Sequence, residues 1–201
     1  EDEGVQFNVV LKGIVQPQKF HIPVPGMHTI NNALLAIAVS MEYGLSVEEI
    51  SRGFCNLEKT AMRLDIIKGD FTIINDCYNA NPDSMKSGLE VLKNYKCVHR
   101  IAILGSMREL GQQGPEAHRG IGDFARECGV DTLITLGEYN EYFKEGFGEN
   151  CFCFDDYDEA AAFAIKTIKP GDAVIVKASR SMKFEKITEK LKEHIGVTNN
   201  G

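Results

Sequence analysis

From Phe71 onward the chain alternates short apolar runs with longer amphipathic stretches, and this alternation limits the fold more than any other feature. The runs Phe71–Asn75, Arg100–Leu104, Thr132–Leu136, Cys151–Phe154 and Ala173–Lys177 are mostly apolar, with β-branched or aromatic residues in each, and too short for buried helices, so they read as strands. The intervals, at about Asp83–Tyr95, Pro115–Cys128, Asn140–Phe147 and Tyr157–Ile168, carry one-faced helical periodicity, and a last helix is predicted from Met182 to Ile195. Strands alternating with helices need crossover connections, which are right-handed, so the pattern predicts a Rossmann-like α/β domain with a mostly parallel sheet covered on both faces.

Within that pattern the stretch Phe71 to Asp83, FTIINDCYNANPD, is the richest in chemistry. Its apolar run turns polar at Asn75 and Asp76, which puts Asp76 where the strand ends. Asn81 followed by Pro82 supplies an N-cap and a residue suited to the first helical position, and Met85, Leu89 and Leu92 mark the buried face of the helix. In an α/β sheet such a loop lies at the carboxyl end of the strands, where ligands bind and helix N–H groups meet anions. The plainer alternative is that Asp76, Asn79 and Asn81 only fill a turn and cap the helix, as Asn and Asp commonly do.

The chain has 201 residues, enough for one large domain or one domain with an appendage, and 43% hydrophobic residues, enough for a substantial core. A net charge of −7 argues against a nucleic-acid groove or an anionic membrane surface, both of which need a basic face. No apolar run approaches membrane-spanning length and no signal pattern opens the chain, so a soluble, cytoplasmic protein is expected. The six cysteines include no CxxC pair and read as free thiols. Cys151 and Cys153 share one face of a strand, where core packing fits them better than zinc.

The first residues differ in character. Val5, Phe7 and Val9 alternate with polar neighbours, as do Phe20, Ile22 and Val24, which predicts a β-hairpin or sheet edge. His28–Tyr43 follows as a helix stopped by Gly44, and a second opens at Ser46 with Glu49 three residues on, a capping box that buries Ile50 and Phe54. This segment has little apolar surface of its own and reads as the tail of a larger domain, with a linker near Leu57–Met62. The sequence begins with Glu rather than Met, which is expected of a processed or excised chain. The closing Thr198–Gly201 is expected to fray.

Rossmann-like topology invites an oxidoreductase reading, but the first βα turn, Asp76–Asn81, contains no glycine. The second, Gly105–Gly111, has glycines six apart with bulky residues between them, which does not make a dinucleotide fingerprint. No GxxxxGK[ST] occurs either, so a phosphate cradle for ATP would lie outside this sequence.

Four segments, Pro25–Ala33, Asn75–Met85, Leu104–Gly111 and Lys177–Arg180, resemble in that order the Mur ligase family, and within it the MurF type that adds D-alanyl-D-alanine to the peptidoglycan precursor. NDCYNANPDSM, from Asn75 to Met85, resembles that type's DDSYNANPDSM, and Leu104–Gly111 resembles LGDMxELG. Pro25–Ala33 resembles PGxHNxxNAL, and Lys177–Arg180 resembles KGSR. The resemblance implies three domains in the whole enzyme. Residues 1–57 would be the end of the central ATP-binding domain and 58–201 the complete carboxy-terminal Rossmann-like domain. The amino-terminal domain, the P-loop and the Mg2+ ligands would belong to a missing part, so the chain alone is expected to catalyse no ligation.

The resemblance also implies residue roles. Asn32 would contact adenine, with Thr29 standing where the family has Asn. Arg63 would reach the ATP phosphates and act in catalysis, for which a permanently charged fork of donors is suited; a surface ion pair is its ordinary alternative. Asp76 would accept hydrogen bonds from the ATP ribose. Tyr78, Asn79 and Asn81 would wall the substrate cleft, Glu109 would meet the dipeptide ammonium or cap its loop, and Ser179 and Arg180 would hold the dipeptide carboxylate. Ser106 replaces a family Asp. His118 matches a family His with a structural role equally open, and His28 fits helix entry better than catalysis. The implied partners are UDP-MurNAc-peptide, D-alanyl-D-alanine and the missing domains, with ATP and Mg2+ as cofactors. A Mur-type ligase for another amino acid, or a binding module that has lost catalysis, would fit the same residues.

Overall fold

The computed structural model describes residues 4–57 and 62–196, which fall into two compact units, Glu1–Lys59 and Thr60–Gly201. Most of the expected linker, residues 58–61, and the closing Thr198–Gly201 lie outside the described residues, as do Glu1 and the His28 side chain.

In the first unit, β1 (Val5–Val9) pairs antiparallel with β2 (Gln18–Ile22), Phe7 opposite Phe20. Two helices follow, α1 (Met27–Glu42) and α2 (Val47–Cys55). The capping box at α2 forms as the sequence predicts: Glu49 N–H donates to Ser46 Oγ at 3.3 Å, and Ser46 N–H donates to Glu49 Oε2 at 2.8 Å. Such a cap is worth about 1 kcal/mol. Phe20, Ile22, Ala33, Ile37, Ile50 and Phe54 form this unit's core. Outside that core α1 also exposes Met27, Leu34, Leu35 and Val39, as does Tyr43 just past its end.

The second unit is a six-stranded sheet in the order β3-β4-β8-β5-β6-β7. Its strands are β3 (Asp65–Lys68), β4 (Thr72–Asn75), β5 (Arg100–Gly105), β6 (Thr132–Leu136), β7 (Cys151–Phe154) and β8 (Ala173–Lys177). The pairs β4–β8, β8–β5, β5–β6 and β6–β7 are parallel. Helices α3 (Pro82–Asn94), α4 (Gly114–Glu127) and α5 (Asn140–Phe147) contribute Met85, Leu89, Leu92, Ile121, Ala125, Phe143 and Phe147 to the core on one face. On the other face α6 (Tyr157–Thr167) and α7 (Glu185–Lys192) contribute Ala160, Ala164, Ile187 and Leu191. The central strands are apolar on both sides for this reason: Ile73 and Val174 enter one core, Ile74 and Ile175 the other, all with no exposed surface.

Two details depart from the sequence reading. The edge strand β3 was not expected and runs antiparallel to β4, with Ile66 opposite Ile74 and Ile67 opposite Ile73. Ile66 packs toward one core and Ile67 toward the other, so four residues with no alternation carry no strand signal beside a linker. The last helix starts at Glu185 rather than Met182, because Arg180–Met182 forms a 3-10 turn and Lys183 is left-handed, with φ of 50°.

A chain that leaves β4 and β5 by helices on one face and β8 by a helix on the other opens a crevice at the carboxyl ends of these neighbouring strands. The loops there are Asp76–Asn81, Ser106–Leu110 and Ala178–Lys183.

Candidate functional site

Asp76 directly follows β4 and Lys177 ends β8, and their side chains meet beneath α3. Lys177 Nζ lies 2.6 Å from Asp76 Oδ2, with side-chain exposures of 3% and 13%. The same ammonium donates to the Asn79 carbonyl at 2.9 Å and the Asp76 carbonyl at 3.4 Å. Three oxygens therefore compensate a cation that burial would otherwise penalise heavily. The other carboxylate oxygen, Oδ1, accepts the Leu64 N–H at 3.2 Å. Gly88 on α3 leaves room for the pair: a Cβ there would stand 3.3 Å from Lys177 Cδ and 3.4 Å from Asp76 Oδ2.

Arg63 precedes the amide that Asp76 holds. Its guanidinium carbon sits 4.3 Å from the centre of the Tyr78 ring, and Tyr78 N–H donates to the Met62 carbonyl at 3.0 Å. Met62 and Leu64 both have left-handed backbones, φ 62° and 46°, so Arg63 projects from a segment bent against ordinary preference on either side. Arg63 and Tyr78 are both exposed. The cation–π contact is weak enough for the guanidinium to leave for a stronger anionic partner.

The polar residues of the first loop are partly absorbed by local structure. Asn81 caps α3, its Oδ1 accepting Ser84 N–H at 2.8 Å while its own N–H donates to Ser84 Oγ at 3.0 Å. Asn79 Oδ1 accepts the Ala80 N–H at 2.9 Å. Both side chains are otherwise exposed at the crevice.

Ser179 fastens the three loops together. Its Oγ accepts Arg108 N–H at 2.9 Å and donates to the Ala80 carbonyl at 3.5 Å, and its N–H donates to the Ser106 carbonyl at 3.3 Å. Arg180 is exposed and pairs with Glu185 at 3.2 Å. Glu109 is exposed on a left-handed backbone, φ 65°, and Arg108 pairs with Glu138 at 2.6 Å. Ser106 is 1% exposed, and among the described residues its hydroxyl oxygen has no hydrogen-bond partner.

His118 supports the second loop from below. It is fully buried; its Nε2 accepts Met107 N–H at 2.8 Å and its Nδ1 lies 2.6 Å from the Gly114 carbonyl. These partners fix the neutral tautomer with the proton on Nδ1, and burial pushes its pKa below the ordinary 6.5. The ring stacks on Tyr139 at 4.0 Å. This is a structural histidine.

Arg63, Asp76, Tyr78, Asn79, Asn81, Glu109, Ser179 and Arg180 thus all belong to the second unit, at or beside the loops on one end of its sheet, whereas Asn32 is exposed on α1 of the first unit. Sequence reasoning gave Lys177 no role: a partner 101 residues away leaves no local signal. Among the described residues no cluster of three His, Cys, Asp or Glu side chains could hold a metal ion, and no helix is long and apolar enough to cross a membrane.

Residues 62–180 match the family model described as Mur ligase, glutamate ligase domain. The chain is 33% identical over 200 residues to the UDP-N-acetylmuramoyl-tripeptide–D-alanyl-D-alanine ligase of Bacillus subtilis, covering 96% of this chain and 43% of that protein. The crystal structure of MurF from Acinetobacter baumannii superposes with a TM-score of 0.88 at 26% identity, covering 96% of this chain and 43% of that one. MurF ligase from Thermotoga maritima, solved in complex with ADP, has a TM-score of 0.79 at 20% identity, with coverages of 96% and 46%, and shows the shared fold. The chain spans less than half the length of each of these relatives.

Proposed function

The chain belongs to the Mur ligase family, and from that premise we propose that it is part of an ATP-dependent amide ligase that adds D-alanyl-D-alanine to UDP-MurNAc-tripeptide in peptidoglycan biosynthesis. Residues 1–57 would be the end of the central ATP-binding domain and 58–201 the carboxy-terminal domain, with the amino-terminal domain and the rest of the central one completing the enzyme in the cytoplasm. The observation that carries the reading is the crevice itself. One exposed arginine, a partly buried carboxylate and two further loops converge at the strand ends of a domain whose relatives bear that ligase name.

The reaction we propose has two steps. A carboxylate oxygen of the UDP-MurNAc-peptide attacks the γ-phosphorus of ATP and the bond to ADP breaks, leaving an acyl phosphate. The dipeptide amine then attacks the acyl carbon, the tetrahedral intermediate expels inorganic phosphate, and an amide remains. Arg63 would leave the Tyr78 ring, a weak partner, to pair with the transferring phosphoryl oxygens. Asp76 retains lone pairs for a ribose hydroxyl beside those it gives Lys177 and Leu64, and Asn32 would meet adenine. The ADP bound by the Thermotoga relative supports nucleotide use at this fold. Arg180 would exchange Glu185 for the dipeptide carboxylate, held in place by Ser179; Glu109 would receive the ammonium; Tyr78, Asn79 and Asn81 would form the wall. Mg2+, as a second cofactor, would be held by residues of the rest of the central domain.

A related ligase for another amino acid is favoured by one observation, the uncharged Ser106 in place of a carboxylate. The test is a titration of the chain with D-alanyl-D-alanine, ATP and NAD, followed by NMR. Shifts at Asp76–Asn81, Ser106–Gly111 and Ser179–Arg180 on adding the dipeptide support the reading. A response to NAD alone, or failure of the completed enzyme to ligate D-alanyl-D-alanine while it ligates another amino acid, overturns it.

A further inference from the structure

We propose that Lys177 is a positioning residue that, through Asp76, holds the segment carrying Arg63 and the Asp76–Asn81 loop in one fixed arrangement. The role of Arg63 toward phosphate rests on the ligase reading; the coupling itself does not. The contacts form a continuous path. Lys177 Nζ binds Asp76 Oδ2, the Asp76 carbonyl and the Asn79 carbonyl, so one ammonium closes the loop upon itself. Asp76 Oδ1 binds Leu64 N–H on the far side. Tyr78, inside the closed loop, returns its own N–H to the Met62 carbonyl and places its ring under the Arg63 guanidinium.

Arg63 is therefore bracketed by two hydrogen bonds, at Met62 and at Leu64, and both lead to the loop that Lys177 closes. The bracketing has a physical need. Met62 and Leu64 are left-handed, a conformation that non-glycine residues hold only when their surroundings enforce it. The room for the device is reserved as well. Lys177 lies at the end of the central strand β8, hydrogen-bonded to β4 and β5 on either side, and its stem runs to Asp76 under the helical Gly88. A lysine anchored on a two-sided strand is a rigid support for a loop that must present a mobile arginine.

The experiment compares the wild-type chain with Lys177→Met, Asp76→Asn and the double variant by NMR and amide hydrogen exchange. In the wild type, the buried Lys177 ammonium should give a slowly exchanging side-chain signal, which Asp76→Asn shifts. In Lys177→Met, exchange of the Leu64 and Tyr78 amides should rise about tenfold or more, while Ile103 and Ile134 in the sheet keep their protection. The Arg63 side-chain signal should move toward that of a free arginine. The double variant should add little to either single one, because both break the same path. The proposal is overturned if residues 62–64 and 78 are unchanged in a folded Lys177→Met chain, or if protection falls equally across β5 and β6. Should Lys177→Met fail to fold, Asp76→Asn decides: an unmoved Lys177 ammonium or an unmoved Leu64 amide overturns it. No nucleotide or turnover is needed, so failure here leaves the ligase reading standing, and a failed ligation assay leaves the coupling intact.

Discussion

At the scale of single residues, two buried polar groups of the second unit, His118 and Ser106, behave in opposite ways. His118 is satisfied only when neutral, because Met107 N–H points at its Nε2. Its pKa is lowered in the folded chain by burial, so the unfolded chain takes up a proton first as pH falls. This contribution to stability is complete above about pH 6.5 and is lost as pH drops from there toward the depressed folded value. Urea midpoints between pH 7.5 and 5.5 should therefore decline in the wild type. A His118→Phe chain should lack this component, while losing about 2 kcal/mol at neutral pH from the unpaired Met107 amide. Ser106 is the opposite case, a buried hydroxyl without a partner. Ser106→Ala should leave stability unchanged or raise it by up to about 1 kcal/mol in chemical denaturation, since it removes a desolvated group and little volume. Asp76 was legible in the sequence as a strand-end carboxylate, and Asn81 as a helix cap. The Lys177 contact and the missing partner of Ser106 were not, since both depend on which strands lie side by side rather than on neighbours in the chain.

At the scale of elements, the five parallel strands were readable because central strands buried on both faces must be continuous apolar runs. The helices were readable from period and caps, including Asn81–Pro82 and the Ser46–Glu49 box. What sequence could not show is how closely two of the helices approach. A Cβ on Gly146 of α5 would fall 2.1 Å from the Arg119 carbonyl oxygen of α4, and one on Gly122 of α4 would fall 2.3 Å from the Phe143 carbonyl oxygen. Backbone, not a flexible side chain, occupies both places, so the helices would have to separate. Gly146→Ala should cost about 2–4 kcal/mol, despite the gain in helix propensity that alanine ordinarily brings. A thermal melt of this variant beside Gly120→Ala, where nothing lies within 4 Å, would isolate the effect. An equal response in the two would show that the crossing is loose. The antiparallel β3 was missed for a related reason: with Ile66 and Ile67 in opposite cores, an edge strand of four residues has neither alternation nor length.

At the scale of the whole molecule, solution behaviour should be governed by two opposed contributions. The net charge of −7 keeps copies of the chain apart at low ionic strength. Leu35 and Val39 of α1 and Tyr43 just past its end recur every fourth residue with exposures of 68%, 49% and 82%, and Met27 and Leu34 are exposed as well. Added salt screens the repulsion over roughly 8–10 Å and leaves the apolar attraction untouched. Light scattering of the chain should accordingly show net repulsion between molecules in dilute buffer that turns to attraction as salt is added. Leu35→Lys with Tyr43→Lys should weaken that reversal, and an unaltered salt response would place the attraction elsewhere. The outward side of α1 thus makes the ions dissolved around the chain, and not its fold alone, a determinant of how long it stays dispersed.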